Sequence, residues 1–191
     1  MPARYVGVPQ VQFLEDGRVV ELLADLEFYQ SDETRWAVPA GARVDGASIP
    51  QIFWSVVGGP FEGRYRDASI IHDWFCDRRT RSWQDTHRVF YDAMLVSGVT
   101  PTRAKIMYLA VYYGGPRWET RVTWNTNLDV STKFHFSTGL PRETKIFTAQ
   151  NPAYGKTDAQ QLAFLRNVSN KIEADDLTIQ DIEQIVDRSR A

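Results

Sequence analysis

The chain has 191 residues, of which 43% are hydrophobic and 13% aromatic, so it can bury a sizeable core in one domain or in one domain with an appendage. Its 22 basic and 24 acidic residues give a formal charge of -2, which excludes a global electrostatic attraction to nucleic acid or to an anionic membrane. A single cysteine, Cys76, excludes an intramolecular disulfide and is compatible with a reducing compartment.

The N-terminal segment MPARYVGVPQ lacks the charged region followed by an apolar region that marks a signal peptide. Elsewhere, no uninterrupted apolar run reaches the length of about 18 residues that a membrane-spanning helix needs. We therefore expect neither a signal peptide nor a membrane span, and the default location is the cytoplasm. Export by a dedicated machine would leave no such signature.

Apolar segments between Val11 and Val44 predict a small antiparallel sheet. The segments VQFL and RVVELLADLEFY flank an Asp-Gly turn at residues 15–17, which is a strong signal for a β-hairpin. The segment WAVPAGARV predicts a further strand after a polar break. A helix is the competing prediction for VVELLADLEFY, because Leu and Ala are good helix formers.

Three helices are predicted to follow, over residues 65–79, 82–97 and 101–113. The second begins with Ser82 and carries Asp85 three residues later, which is a capping-box pattern with Asp in place of the usual Glu. The third has Thr100 at the N-cap and Pro101 at the first helical position. These boundary signals make the second and third helices well defined.

The composition changes after Trp118, where the chain becomes rich in Thr and Asn and contains short alternating pieces such as VSTKFHF. We therefore divide the chain into a core domain, 1–118, and an irregular or β-rich extension with two C-terminal helices, 119–191. Thr157 begins the first of these helices and Thr178 caps the last, IQDIEQIVDR. The narrow apolar stripe of that last helix suits packing on the body of the protein, or contact with a protein partner or a second copy.

Two histidines lie on apolar helix faces. His72 is in helical register with Ala68 and Cys76, and His87 is in register with Trp83 and Phe90. A short connection makes the two helices antiparallel neighbours, so the two imidazole rings are expected to lie close together. A buried imidazole needs a hydrogen bond, a carboxylate or a metal ion as partner.

Asp73 points about 100° away from His72 around the helix, so we expect it to face the segment that precedes the helix. That segment contains the turn Asp45-Gly46 followed by Ser48 and Pro50. The carboxylates of Asp45 and Asp73, with backbone carbonyls and water, are hard oxygen ligands of the kind that Ca²⁺ prefers. This grouping predicts a calcium site.

Structural explanations compete with each of these functional ones. His72 and His87 alternatively form a satisfied core network, Asp45 alternatively belongs to an ordinary turn, and Cys76 is expected to be a core cysteine. Five arginines bracket the first helix and form either a solvated face or a pocket rim that attracts phosphate or carboxylate groups; they are Arg64, Arg66, Arg78, Arg79 and Arg81.

The run from Trp36 to Trp118, with its elements VPAG, DGASIPQIFW, ASIIHD and FYDAM, resembles the family called domain of unknown function 1353, found in phages and bacterial genomes. The resemblance implies no activity, but it adds association with a phage particle to the possible locations. A more distant similarity links the same stretch to bacterial phospholipases A2, which carry an Asp-Gly turn, a helix with Ala-x-x-x-His-Asp and a second helix with Asp shortly before Phe.

The second resemblance implies a general base at His72 and a Ca²⁺ ion held by Asp45, the Gly46 region and Asp73, which would polarise an ester carbonyl. The aspartate that orients the histidine in those enzymes corresponds to His87 here. A neutral His87 is able to orient His72 by a hydrogen bond, but it does not stabilise a protonated imidazole as a carboxylate does.

The predicted fold class is α+β, with an N-terminal hairpin or small antiparallel sheet, a three-helix phospholipase A2-like core and the C-terminal extension. The sequence is compatible with three functions. The first is a Ca²⁺-assisted hydrolase of a lipid or related ester, with His72 and His87 as the catalytic pair. The second is a non-catalytic interaction protein with a buried network, and the third is a Zn²⁺ or other transition-metal hydrolase, favoured if the two rings converge.

Overall fold

In the computed structural model, the described residues are 1–14, 19–45, 49–58, 63–124 and 142–189, and the side chains of 121–124 and 142–144 are not described. The α+β prediction is confirmed, with small antiparallel sheets before the helices. Among the described residues, no helix combines the length and the apolar character that crossing a membrane requires.

Six short strands form two three-stranded antiparallel sheets ahead of the helices. They are β1 (Arg4–Val6), β2 (Val11–Phe13), β3 (Val20–Leu22), β4 (Leu26–Tyr29), β5 (Arg35–Val38) and β6 (Arg43–Val44). The first sheet has the order β1-β4-β5 and the second the order β2-β3-β6. Inward positions of the strands, such as Val20, Phe28 and Trp36, are fully buried.

The pairing of β2 with β3 confirms the predicted hairpin, although its turn at 15–17 lies outside the described residues. The helical alternative for VVELLADLEFY is wrong, because this segment forms β3 and β4 with a bend between them. Strand pairing and burial outweigh the modest helix propensity of Leu and Ala here. Strand β1 was not predicted, because it is held by pairing with the distant strand β4 rather than by a local hairpin.

The helices are α1 (Trp54–Val57), α2 (Arg66–Arg78), α3 (Trp83–Val96), α4 (Pro101–Gly114), α5 (Asp158–Asp175) and α6 (Ile179–Arg188). Helices α2, α3 and α4 confirm the three predicted helices within a residue or two at each end. Helix α3 packs against both α2 and α4, and α2 also contacts strands β5 and β6. Helices α2 and α3, which a short connection joins, are therefore packed neighbours.

Side-chain caps define several helix starts. The Ser82 hydroxyl oxygen accepts a hydrogen bond from the Asp85 N–H at 3.0 Å, and Thr157 and Thr178 each form a capping box. Thr100 occupies the N-cap of α4 with an extended backbone but makes no capping hydrogen bond among the described residues. Pro101 at the first position removes one of the N–H groups that would otherwise need a partner.

Downstream of α4, strands β7 (Arg117–Trp124) and β8 (Arg142–Ala149) pair as a two-stranded antiparallel ribbon. The predicted VSTKFHF strand lies outside the described residues. Helices α5 and α6 pack on α4, and the apolar stripe of α6 supplies Ile179, Ile182 and Val186 to the core. The apolar stripe of α6 thus packs against the body of the same chain. The division into 1–118 and 119–191 stays a prediction.

Gly115 ends α4 at a position where no side chain fits. A Cβ atom there would lie 2.3 Å from the Val111 carbonyl oxygen and 3.2 Å from Cε1 of His87. We expect Gly115→Ala to lower the free energy of unfolding by about 2–4 kcal/mol, because the helix end must shift. Urea denaturation followed by circular dichroism measures the change.

Gly41→Ala is the matched control, because Gly41 has a φ of 77° but nothing within 4 Å of the added Cβ. In the control, the free energy of unfolding should fall by only about 1–2 kcal/mol, which is the cost of a left-handed backbone at a residue other than glycine. Equal losses in the two variants would contradict a steric role for Gly115.

Candidate functional site

The two histidines converge where α2 and α3 pack against each other. His72 Nε2 lies 2.8 Å from His87 Nδ1, within hydrogen-bond distance, and both side chains are buried. The inward faces predicted from the helical register of the two segments account for this arrangement. The prediction that the two rings lie close together is therefore confirmed.

Cys76 completes a cluster of three groups that bind metals. It lies one turn after His72 on α2, and its Sγ is 3.6 Å from His72 Nε2 and 4.0 Å from His72 Nδ1. One nitrogen from each histidine and the cysteine sulfur all lie within 4.8 Å of one another. We call His72, Cys76 and His87 the His-Cys-His cluster.

Aromatic rings enclose the His-Cys-His cluster. The Phe90 ring lies 4.8 Å from the His72 ring and the Trp83 ring 5.6 Å from the His87 ring, measured between centroids. Gly115 permits the chain after α4 to pass close to His87. The cluster therefore lies in surroundings of low polarity, in which a charged imidazole is strongly disfavoured.

Burial governs the protonation of both rings. It lowers the pKa of His72 to about 3 and also lowers the pKa of His87, to which the neighbouring His72 adds a further decrease. Both imidazoles are therefore neutral at physiological pH. In the neutral pair, one ring nitrogen donates the hydrogen bond and the other accepts it.

The second nitrogen of His87, Nε2, is a buried polar atom. Among the described residues, Nε2 of His87 makes no hydrogen bond. The Pro116 backbone acts on the ring in the direction that raises its pKa, opposing burial, but its approach does not meet the geometry of a hydrogen bond. An unsatisfied buried nitrogen costs free energy, and such atoms in proteins call for a specific explanation.

Asp73 faces the segment before the helices, as predicted. Its buried carboxylate oxygen Oδ2 accepts a hydrogen bond of 3.0 Å from the backbone N–H of Asp45, at the end of β6. Asp45 itself is exposed. Gly46 lies outside the described residues, so the proposed Ca²⁺ ligands Asp45, Gly46 and Asp73 stay a prediction.

A cleft of about 850 Å³ lies beside the His-Cys-His cluster. Its lining includes Asp45 and Asp73, Cys76 on α2, and Gly114 and Pro116 after α4. Cys76 thus links the buried cluster to a concave surface that also contains a carboxylate. A cleft with convergent polar groups is the usual setting of a ligand site.

Cys76 contributes more to the cluster than its place in the sequence indicates. A buried position one turn after His72 was expected, and the structure agrees, but the thiol also contacts the His72 ring. The available signal was the i, i+4 spacing of His72 and Cys76, which places both side chains on one helix face. The catalytic assignments of His72 and His87 stay predictions.

The family model described as "Protein of unknown function (DUF1353)" matches residues 20–111. This range contains the whole His-Cys-His cluster and the strands that support it. The match agrees with the resemblance seen in the sequence, and it supplies no activity. The resemblance to phospholipase A2 stays a prediction.

Two curated proteins from Sinorhizobium fredii are similar to the chain. "Uncharacterized protein y4jT" is 52% identical over 118 residues, which are 60% of this chain and 35% of that protein. "Uncharacterized protein y4iH" is 46% identical over 97 residues, which are 51% of this chain and 41% of that protein. The chain therefore spans well under half the length of these relatives. No solved structure shows significant similarity.

The buried histidines predict a pH dependence of stability in metal-free protein. The unfolded chain binds protons at histidine near pH 6.5, whereas folded His72 binds one only near pH 3, so acid favours unfolding in the interval between these values. Lowering the pH from about 7 to about 5 should reduce the free energy of unfolding by about 2–4 kcal/mol from the two rings.

Urea titrations of chelator-treated protein at several pH values measure this dependence. His87→Gln removes one titrating ring and should flatten the slope, while Thr86→Ser, a buried neighbour that does not titrate, should lower stability equally at every pH. Identical slopes in all three proteins would show that the histidines are not the source.

Proposed function

We propose that this protein binds a divalent transition-metal ion, with Zn²⁺ as the reference ion, through His72, Cys76 and His87. The observation that carries the proposal is the approach of two imidazole nitrogens and one thiol sulfur to within 4.8 Å of one another in a buried site. Convergence of the two rings is the feature that distinguishes a transition-metal site from the calcium alternative.

The donor atoms favour this choice of metal. Imidazole nitrogen and thiolate sulfur are preferred ligands of Zn²⁺ and its neighbours, whereas Ca²⁺ takes oxygen ligands. The two histidines are neutral, because their pKa values are lowered, so protons compete little with a metal for the ring nitrogens. A bound metal would also deprotonate the Cys76 thiol.

The spacing needs only a small adjustment. In a tetrahedral zinc site with Zn–N bonds of about 2.0–2.1 Å, the two nitrogens lie about 3.3 Å apart and a nitrogen and a sulfur about 3.5 Å apart. The observed separations are 2.8 Å between His72 Nε2 and His87 Nδ1, and 3.6 Å between His72 Nε2 and Cys76 Sγ. The third pair, Cys76 Sγ and the His87 nitrogen, lies within 4.8 Å, so a metal that replaces the hydrogen bond also requires the thiol and the rings to close by about an ångström.

Three protein ligands leave one coordination position open, which is characteristic of catalytic rather than structural zinc sites. We assign this position to the side of Cys76 that lines the cleft, where Asp73 also lies. A water molecule on a metal there would have a lowered pKa and would act as a nucleophile on an ester. The more specific proposal is that the metal-bound protein hydrolyses a lipid or related ester.

The second candidate is a non-catalytic protein in which the cluster is a silent network, meaning that it binds no metal and only stabilises the fold. One observation favours it. The His72–His87 hydrogen bond of 2.8 Å already satisfies one nitrogen of each ring without any metal. In that case the cluster fixes the packing of α2 on α3 and the protein acts through its surface. Protein partners would then use surfaces other than the α6 stripe, which contributes to the core.

Metal binding is measured on purified protein by elemental analysis and by titration with Zn²⁺ or Co²⁺ against a competing chelator. We expect one metal per chain, a rise in melting temperature and, with Co²⁺, a thiolate charge-transfer band. Cys76→Ser should abolish that band and weaken binding by about tenfold or more.

Asp77→Asn is the matched control, because Asp77 is exposed on α2, lines the same cleft and is not a proposed ligand. The control should retain the stoichiometry and the Co²⁺ band. Absence of stoichiometric binding by wild-type protein, with a melting temperature that chelator does not change, would refute the metal site and support the silent network.

Hydrolysis is tested with a panel of phospholipids and aryl esters in the presence of Zn²⁺, Co²⁺ or Ca²⁺. Asp73→Asn should lower the metal-dependent rate by about tenfold or more while metal binding is retained, because Asp73 lies in the cleft rather than in the ligand set. Activity that needs Ca²⁺ and is lost in Asp45→Asn would favour the calcium hydrolase instead. No hydrolysis with any metal would leave a metal-binding protein without this activity.

A further inference from the structure

A second cleft, of about 970 Å³, lies where the α2–α3 connection meets the β7–β8 ribbon. Three arginines line it: Arg79 from the end of α2, Arg81 from the connection, and Arg117 at the start of β7. The side chains of Trp83 and Trp118 are part of the same wall. We call this the arginine cleft.

Arg117 is the unusual member of this group. It is 2% exposed, and its Nη2 donates a hydrogen bond of 2.6 Å to the Tyr112 carbonyl oxygen. Among the described residues, its Nε and Nη1 atoms have no hydrogen-bond partner, and the nearest carboxylate oxygen, from Asp187, is 3.9 Å from Nη1. A buried guanidinium with two unsatisfied nitrogens is costly unless a ligand completes its bonding.

The hydrogen bonds of the other two arginines involve neutral acceptors. Arg79 Nη1 donates to the Thr148 hydroxyl oxygen at 3.3 Å, and Arg81 Nη2 donates to the Arg35 carbonyl oxygen at 3.0 Å. Glu119 is the carboxylate among the residues that line the cleft. With Asp187 at 3.9 Å from Arg117 Nη1 counted as well, three guanidinium groups face two carboxylates, which leaves the arginine cleft with an excess of positive charge.

Aromatic rings hold these guanidinium groups in place. The Arg117 guanidinium carbon lies 3.9 Å from the centre of the Trp83 ring, and that of Arg79 lies 5.9 Å from the centre of the Trp118 ring. Trp118 is fixed in turn, because its Nε1 donates a hydrogen bond of 2.9 Å to the Arg81 carbonyl oxygen. Preordered side chains lose less entropy when they bind an anion.

We propose that the arginine cleft binds the phosphate group of a small-molecule ligand. The planar guanidinium groups provide paired N–H donors that match the oxygens of phosphate, and a dianion uses the excess charge better than a monocarboxylate does. The volume accommodates a ligand considerably larger than phosphate itself. Arg79 also lines the cleft beside the His-Cys-His cluster, so the two clefts share a boundary.

Phosphate binding does not depend on a metal in the His-Cys-His cluster, so the two proposals are tested separately. Chelator-treated protein is titrated with inorganic phosphate, pyrophosphate and acetate in about 0.15 M salt, which screens weak surface attraction. Calorimetry and the fluorescence of the tryptophans in the cleft wall report the binding. We expect saturable binding of the two phosphates, and acetate binding weaker by about tenfold or more.

The variants Arg79→Gln and Arg81→Gln change a half-buried and an exposed arginine of the cleft, and each should weaken phosphate binding by about tenfold. Arg117→Met should abolish it; if that variant does not fold, the two glutamine variants carry the test. Arg66→Gln is the control, because Arg66 is an exposed arginine on α2 outside the cleft. Absence of saturable binding by wild-type protein, or equal affinity in the cleft variants and the control, would overturn the proposal.

Discussion

The contact between two neutral imidazole rings at the α2–α3 interface constrains most of the structure around it. Each ring is buried, so each must keep a hydrogen-bond partner, and the partner of His72 is His87 at 2.8 Å. This requirement fixes how far the two helices slide along each other, because a shift of one residue would separate the nitrogens. It also requires the chain after α4 to pass near His87 without a side chain, which Gly115 permits.

The same contact connects stability with the proposed metal site. A buried pair of neutral histidines with a cysteine one turn away could hold a metal ion, and the two rings are already in the neutral form that metal binding needs. Burying three polar groups is unfavourable, and the hydrogen bond between the two rings offsets only part of that cost. A metal ion would offset more of the cost, since it would replace that hydrogen bond with several stronger bonds.

The sequence contained enough information for the central helices and for the meeting of His72 and His87, because helical register and a short connection determine both. It contained less about the N-terminal strands, where segments of three or four residues are held by pairing with distant partners. Arg117 could not be recognised at all, since its burial depends on Trp83 and Tyr112 from two different helices. Side chains on one element follow local rules, whereas a site assembled from several elements depends on tertiary packing.

Helix α4 has consequences for how the chain folds during synthesis. Nine of its fourteen residues are buried, and α3, α5 and α6 each cover part of its surface. On the ribosome, the segment that forms α4 emerges well before the segments of α5 and α6, so its apolar surface stays uncovered until the chain has been extended through Ile179–Arg188. The helix is consequently open to non-native association, and thus to chaperones, before its covering helices are made.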